Sequence, residues 1–343
     1  MRLENLYLRS LGAYLPEWMS SKRAIEQGLY DEVLALDSGV TGTLIAGDMP
    51  PVEMAVAAAR DALERGEQKA ADLGLVVYAS VIGQGPEMWY PGGYLLRELG
   101  AAGTPVFEVR QGCNGMLAAL ELAACYLHTS PECDTALLAA ADNFNSPRGD
   151  RWRGYGPGTV IGDAGSAMLL SASGGFAEVK SVHQSTVPEL EGLHRGAEPL
   201  FDPHGRSTVD MMRRARHFSQ AEISLNEVNQ IIGERQADVI NRSLAEAGIG
   251  VDEISKVIYV NQGRYLLAQF LLDPLGIPES KSNWDFGRTV GHLGASDHAV
   301  TLDHFMTTGQ LGPGDHVLLA GAAPGFVVSS AVLTINAPAP WAL

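Results

Sequence analysis

The stretch 106–127, VFEVRQGCNGMLAALELAACYL, constrains this chain more than any other. A short extended run, Val106 to Val109, meets the tight turn Gln111-Gly112-Cys113-Asn114-Gly115, and a strongly apolar helical pattern follows at once. Met116, Leu117, Leu120, Ala123, Ala124 and Leu127 recur at spacings of three and four, which specifies a helix packed in an interior. Cys113 is thereby placed on a strand-to-helix elbow.

A thiol at the first turn of such a helix faces backbone N–H groups that lack intrahelical partners and the positive end of the helix dipole. Both favour the thiolate, the nucleophilic form of cysteine. Gly112 and Gly115 permit a sharp turn and a close backbone approach on either side, which a cysteine that merely fills space does not need. Strand, turn, nucleophile and helix in that order form a device found in unrelated folds. Cys125 and Cys133 have no such setting and read as small buried hydrophobic residues.

A chain of 343 residues is long enough for two domains of ordinary size. The formal charge of −16 argues against a nucleic-acid surface or an anionic membrane surface as partner. Three cysteines do not make a disulfide framework, which points to a reducing cytoplasm. The N-terminal residues MRLENLYLRSLGAYLP lack a basic-then-apolar signal, and no apolar run is long enough to span a bilayer. The expectation is a soluble cytoplasmic protein.

Along the chain, Leu6 to Leu15 reads as a strand bent or broken at Gly12 and stopped by Pro16. Residues Met49 to Gly66 read as a helix with prolines at its start and a glycine stop. Leu73 to Ser80 is a nearly continuous apolar strand, as in a sheet covered on both faces. Thr135 to Ala141 is another, and Ile161 to Ser173 is a glycine turn running into a third. The second half repeats the grammar. Ser219 to Gly248 reads as helical with an interruption at Gly233, followed by a strand over Lys256 to Asn261. The glycine-rich segment Phe286 to Ser296 leads into a helix over Asp297 to Thr308, then a strand over Asp315 to Ala320, a glycine turn at Gly321 to Gly325, and a closing strand over Val327 to Ile335. The duplication is one of pattern, without a close sequence repeat.

Cys113 in its elbow, GDAGSA at Gly162 to Ala167, GHLGAS at Gly291 to Ser296, GQLGPGDHVLLAG at Gly309 to Gly321 and the final APGF turn together resemble ketosynthase III of the thiolase superfamily. The resemblance spans nearly the whole chain, in order. It implies a thiolase-like five-layered αβαβα fold of two pseudo-duplicated halves, residues 1–172 with the nucleophilic cysteine and residues 173–343 with the His/Asp pair and the final turn. It also implies a homodimer, and a cysteine that takes an acyl group from a thioester at the end of a pantetheine tunnel. No metal or other cofactor is implied.

The departures from the family are as informative. Ketosynthase III pairs a histidine in His-Gln-Ala-Asn with an asparagine in a Gly-Asn motif to stabilise the enolate of a decarboxylating malonyl thioester. Here the first position, in YVNQGR, is Asn261 and the second, in VGHLGAS, is His292, so the two residue types are exchanged. Asp297 follows at the mouth of a helix. Its carboxylate is either a cap set against the helix dipole or the group that fixes the His292 tautomer, completing a triad with Cys113. Such a triad suits acyl transfer to oxygen or nitrogen, and ketosynthase III-like acyltransferases of antibiotic pathways are similar. Asn261 is then expected to orient the thioester or the acceptor.

Val33 and Asp37 align with a Trp and an Arg that clasp adenine in coenzyme-A-using members, so a carrier-protein thioester is favoured over acyl-CoA as donor. Arg213, Arg214 and Arg216 are available to an acidic carrier protein, or form a solvated helix face. In the final turn the position expected to offer an oxyanion N–H is Pro324, which has none. Either Gly325 donates instead, or the hole is built around the Cys113 N–H. Gly83 to Tyr94, with Met88, Trp89 and Tyr90, resembles the loop that crosses the dimer interface to floor the partner's acyl pocket, or packs the interface alone. The expected function is transfer of an acyl group through Cys113 to a hydroxyl or amine of a sugar or other natural-product scaffold. The alternatives are a decarboxylating synthase priming a polyketide or fatty-acid chain and a silent subunit that only binds a partner.

Overall fold

Alternation along the strands builds the layers. In Leu75–Ala79, side chains Leu75, Val77 and Ala79 enter one apolar core while Val76 and Tyr78 enter another. Thr135–Asp142 divides in the same way: Ala136, Leu138 and Ala140 face the first core, Leu137, Ala139 and Ala141 the second. A sheet apolar on both faces must be covered on both. The computed structural model describes residues 1–130, 132–156, 158–202 and 208–341. Its strands are β1 (Tyr7–Tyr14), β2 (Glu17–Ser20), β3 (Gly42–Ile45), β4 (Leu75–Ala79), β5 (Val106–Val109), β6 (Thr135–Asp142), β7 (Ala164–Ser171), β8 (Ala177–Thr186), β9 (Ile254–Tyr259), β10 (His316–Ala323) and β11 (Val327–Ile335).

Nine of them are hydrogen-bonded in the order β5-β4-β6-β7-β1-β8-β11-β10-β9, with β2 and β3 as a separate pair. The two halves mirror each other. β4 and β6 are parallel, and β7 and β1 follow antiparallel; β9 and β10 are parallel, and β11 and β8 follow antiparallel. The halves join where β1 meets β8, at Tyr7 and Leu8. Between them lie the helices Gly115–Thr129 and Asp297–Thr307, which share one core with the inner faces of both halves, among them Leu117, Leu120, Leu302, Val317 and Leu333. The helix Pro51–Arg65 covers the outer face of the first half. The helix Leu225–Ala247 covers the outer face of the second, with Ile240 and Leu244 against Val257 and Leu318. Helix, sheet, helix pair, sheet, helix make the five layers expected. Each fully buried Leu or Met of the middle layer contributes about 1.5–3 kcal/mol.

Some expectations are corrected: Cys125 is exposed and Cys133 only half-buried, so neither is the buried residue expected. Gly12 neither bends nor breaks β1. It lies within the strand because a Cβ there would collide with the Ala58 carbonyl of the outer helix, while the irregularity in β1 falls between Leu8 and Ser10. Gly233 does not interrupt its helix, which runs for 23 residues from a Ser224 capping box to Gly248. β8, β2 and β3 carry no signal strong enough to be expected. Among the described residues no helix is long and apolar enough to cross a membrane.

Candidate active site

β5 ends at Val109, and a 3-10 turn, Gly112–Asn114, passes into Gly115–Thr129 as anticipated. Gly112 adopts φ +57, a left-handed conformation, and a Cβ there would stand 3.1 Å from both Ala323 and Pro324. A Cβ on Gly115 would stand 3.2 Å from the Cβ of Ala295, in the glycine turn of the other half. The small residues thus let the heads of the two middle-layer helices approach, which brings together residues that lie far apart in sequence.

The half-buried Cys113 Sγ lies 2.8 Å from His292 Nε2. His292 Nδ1 donates to Asp297 Oδ2. The His292 backbone is fixed from the first half, since its N–H donates to Val160 at 2.8 Å and its carbonyl accepts from Gly162 at 2.9 Å. Burial works against the imidazolium, but the Cys113 sulfur and the Asp297 carboxylate overcome it and hold the His292 pKa well above its ordinary value. Asp297 is completely buried in the first turn of its helix, yet it makes no cap. Its Oδ1 accepts from Leu293 N at 2.8 Å and Asn261 Nδ2 at 2.9 Å; its Oδ2 accepts from Asn261 N at 2.8 Å and from His292. A carboxylate so fully bonded is held rigidly.

Asn261 is therefore not turned toward a thioester or an acceptor. Its amide donates to Gly291 O at 3.0 Å and to Asp297, while its Oδ1 accepts from Asn283 Nδ2 at 2.7 Å. The Asn261 side chain thus stands behind the carboxylate, among Gly291, Asn283 and Asp297. Trp89 and Tyr90 also lie away from the cysteine of their own chain. Trp89 packs over Gly85 in a separate groove, and the Tyr90 hydroxyl donates to Val106 O at 2.7 Å. Of the two candidates in the final turn, Pro324 packs against Gly112, whereas Gly325 is exposed.

Supporting residues went unrecognised in the sequence. Asn114 Nδ2 donates to Gly321 O at 3.1 Å and Val327 O at 3.0 Å, tying the elbow to the final turn. Asp142, at the end of β6, accepts from the N–H groups of Val81 and Ile82 and from Ala295 at 3.5 Å. Its burial pushes the carboxyl pKa up to about 7. Asp163 of the GDAGSA turn pairs with Arg151 at 3.0 Å and accepts from Ala46 N and Phe144 N, a structural hub away from the sulfur. Of the three arginines in MMRRARHF, Arg213 pairs with Glu198 and Arg214 donates to the carbonyls of His194 and Thr208, while Arg216 lines a pocket.

That pocket, of ≈ 600 Å³, runs past Tyr259, Val260, Ala323 and Pro324 beside the elbow. Its size lies within the range of small-molecule sites. The arrangement offers a sulfur nucleophile, an imidazole on that sulfur and a carboxylate fixing the imidazole. Such a set can accept an acyl group on sulfur and then deprotonate a second nucleophile.

Known proteins resemble this chain over most of its length. The family model for 3-oxoacyl-(acyl-carrier-protein) synthase III matches residues 107–187, and the model for its C-terminal part matches residues 244–335. The solved structure of ChlB3, described as an acyltransferase, superposes with a TM-score of 0.94 at 41% identity, over 98% of this chain and 99% of that one. The acetoacetyl CoA synthase NphT7 of Streptomyces sp. (strain CL190) is 26% identical over 333 residues, 94% of this chain and 96% of its own. A beta-ketoacyl-(acyl-carrier-protein) synthase III of Clostridium perfringens (strain SM101 / Type A) is 23% identical over 299 residues, 84% and 88% of the two chains.

Proposed function

The chain belongs to the ketosynthase III family, and from that premise we propose that it is an acyltransferase which moves an acyl group through Cys113 to a hydroxyl or amine of a sugar or other natural-product scaffold. The observation that carries this reading is the Cys113–His292–Asp297 chain with Asn261 turned behind it. Decarboxylative condensation needs two donors on the thioester oxygen, and the second of the pair is committed here to Asp297. Transfer to oxygen needs one base, and His292 is that base.

In the first half-reaction the Cys113 thiolate attacks the donor thioester, and the departing thiol takes the proton from His292. In the second, His292 removes the acceptor's proton as its oxygen or nitrogen attacks the acyl carbon. The C–S bond breaks and the thiolate–imidazolium pair is restored. General base assistance of this kind contributes about 100- to 10,000-fold. The Cys113 N–H, at the head of Gly115–Thr129, is the oxyanion donor we assign, since Pro324 has none.

A carrier protein is the donor this reading favours. Asp37 is near enough to raise the pKa of the pocket residue Tyr265 through its charge, after the larger effect of burial, and an anion there opposes the phosphates of coenzyme A. A homodimer formed along the sheet edge at β5 accords with the exposed Phe107 on that strand and the fully exposed Met88 beside it. In such a dimer Met88, Trp89 and Tyr90 reach the second copy.

The test is to supply malonyl and acetyl thioesters in parallel. Acyl transfer predicts an acyl adduct by intact mass, lost in Cys113→Ala, with no carbon dioxide above background from the malonyl substrate. Carbon dioxide release with a β-ketoacyl product assigns a synthase instead, the activity named for the relatives from Clostridium and Streptomyces. No adduct from any thioester leaves a binding subunit.

A further inference from the structure

We propose that Asn283 is a positioning residue for the acylation of Cys113: it dictates which end of the Asn261 amide faces Asp297, and through that carboxylate it holds His292 on the sulfur. The inference rests on the acyl transfer proposed above, through the one step that reading shares with its synthase alternative, the loading of Cys113 from a thioester. An amide side chain keeps its outline when its oxygen and nitrogen trade places, so its partners alone decide which end donates. Asn283 is buried at the end of β9, and its partners there leave no choice. Its Oδ1 accepts from Tyr259 N at 3.0 Å, and its Nδ2 donates to Tyr259 O at 2.8 Å. A backbone N–H cannot accept and a backbone C=O cannot donate, which fixes the amide in one sense. Because β9 closes the sheet order, Asn283 takes the place a further strand would occupy.

The other Nδ2 proton of Asn283 goes to Asn261 Oδ1 at 2.7 Å. That contact turns the Asn261 nitrogen the opposite way, where its two protons go to Gly291 O at 3.0 Å and Asp297 Oδ1 at 2.9 Å. Every amide proton of the two side chains is then used. A polarity set by one backbone residue of β9 is thus carried to the carboxylate, which accepts from His292 Nδ1 and leaves Nε2 2.8 Å from the Cys113 sulfur. Turned around, Asn261 would set its oxygen against Asp297 and Gly291, acceptor against acceptor.

The short helix Trp284–Val290 is what brings these partners together. Asn283 stands just before it and Gly291 just after it, so both of its ends grip the same Asn261 amide, one by donating and one by accepting. Between them, a Cβ on Gly287 would collide with Asn261 Oδ1 and stand 2.9 Å from its Cγ, so glycine there leaves the space that the Asn261 side chain fills. Trp284 is buried in the outer core of the second half and pins the helix. The anchor on β9 is fixed as well. The Tyr259 hydroxyl donates to Gln236 Oε1 at 2.9 Å, and Gln236 Nε2 donates in turn to Phe270 O.

The test follows loading of Cys113 from acetyl-N-acetylcysteamine by intact mass, which needs no acceptor. Asn283→Leu keeps a similar volume and cannot donate. Gly287→Ala leaves Asn283 in place and pushes on the Asn261 amide directly, so the question stays answerable if the first variant folds poorly. Each is expected to lower the maximal loading rate about ten-fold, with the half-saturating thioester concentration within about two-fold of wild type. Each combined with Asn261→Ala should load no more than about two-fold slower than Asn261→Ala alone, because the effect passes through that amide. Rates are compared well below the melting temperature of each variant, where a purely structural role leaves them unchanged. Loading at the wild-type rate, losses that multiply with that of Asn261→Ala, or a half-saturating concentration that rises as the rate falls overturns the assignment. Wild-type Cys113 that never loads removes acyl transfer and this proposal together, whereas carbon dioxide released from the malonyl thioester removes acyl transfer alone.

Discussion

Asn261 and Asp297 are joined twice: the Asn261 backbone N–H donates to Oδ2 at 2.8 Å and its side-chain amide donates to Oδ1 at 2.9 Å. The carboxylate bonded to His292 is thus held from behind by Asn261. Asn261→Ala is expected to lower acyl discharge about 10- to 100-fold, the scale of lost orienting contacts, with little change in the KM for the thioester. Asn261→Asp sets a like charge against Asp297 and is expected to be worse. Steady-state kinetics with a pH profile is the measurement, and full kcat in Asn261→Ala would remove the positioning role.

The His292–Asp297 contact makes a separate prediction. Asp297→Asn keeps the volume but offers an amide to Nδ1, which disturbs the tautomer that lets Nε2 face the sulfur. Discharge is expected to fall about 100- to 10,000-fold, close to the effect of His292→Gln. The double variant should be little worse than either single one, because the pair acts as a unit. Additive losses in a double-mutant cycle would show that the two residues work independently.

Acylation changes the charge beside His292. In the free enzyme burial lowers its pKa, but the Cys113 sulfur and Asp297 raise it to a value well above the ordinary one. A thioester sulfur carries no charge, so one of the two raising influences disappears once the acyl group is on. The imidazole then loses its proton at a lower pH, when a base is needed. Discharge of isolated acyl-enzyme should rise with pH through a lower midpoint than the deprotonation of His292 in the free enzyme, followed by NMR of the ring. A midpoint at the same pH or above contradicts this account.

Asp142 allows a stability prediction with a definite sign. Its folded pKa lies at about 7 against an ordinary value of 3.8, with burial the leading cause and the N–H groups of Ile82, Val81 and Ala295 opposing it. The folded state therefore holds a proton that the unfolded state has lost. This contribution is fully present below the unfolded pKa and vanishes as pH rises through the folded one. Asp142→Asn removes the titration while keeping the shape. Its melting temperature relative to wild type should climb by a few degrees, about 2–4 °C per kcal/mol in a chain of moderate size, between pH 5 and pH 8. A pH-independent difference would refute it.

What could be read in the sequence was what is local. β5, the Cys113 elbow, the helix behind it and β11 lie where turn chemistry and apolar spacing put them. The family pattern of glycine turns led to the fold and to the meeting of Cys113 with His292. What escaped depends on partners distant in sequence. The Asn261 side chain is directed by Asn283, Gly291 and Asp297, and nothing in YVNQGR says which way it turns. Asn283 and Asp142 look like ordinary polar residues until β9 and the Val81–Ile82 segment are packed beside them. Gly12 was taken for a bend because its neighbour, the Ala58 carbonyl, cannot be seen from β1 alone.

Cys113 and His292 are separated by 179 positions and meet only where the heads of the two middle-layer helices touch. During synthesis on the ribosome, the cysteine emerges long before the residue that activates it. Until the C-terminal third has been made and docked, the cysteine has no imidazole beside it. The pairing of sulfur with imidazole therefore requires the C-terminal third, and a chain cut before it lacks the Cys113–His292 contact altogether.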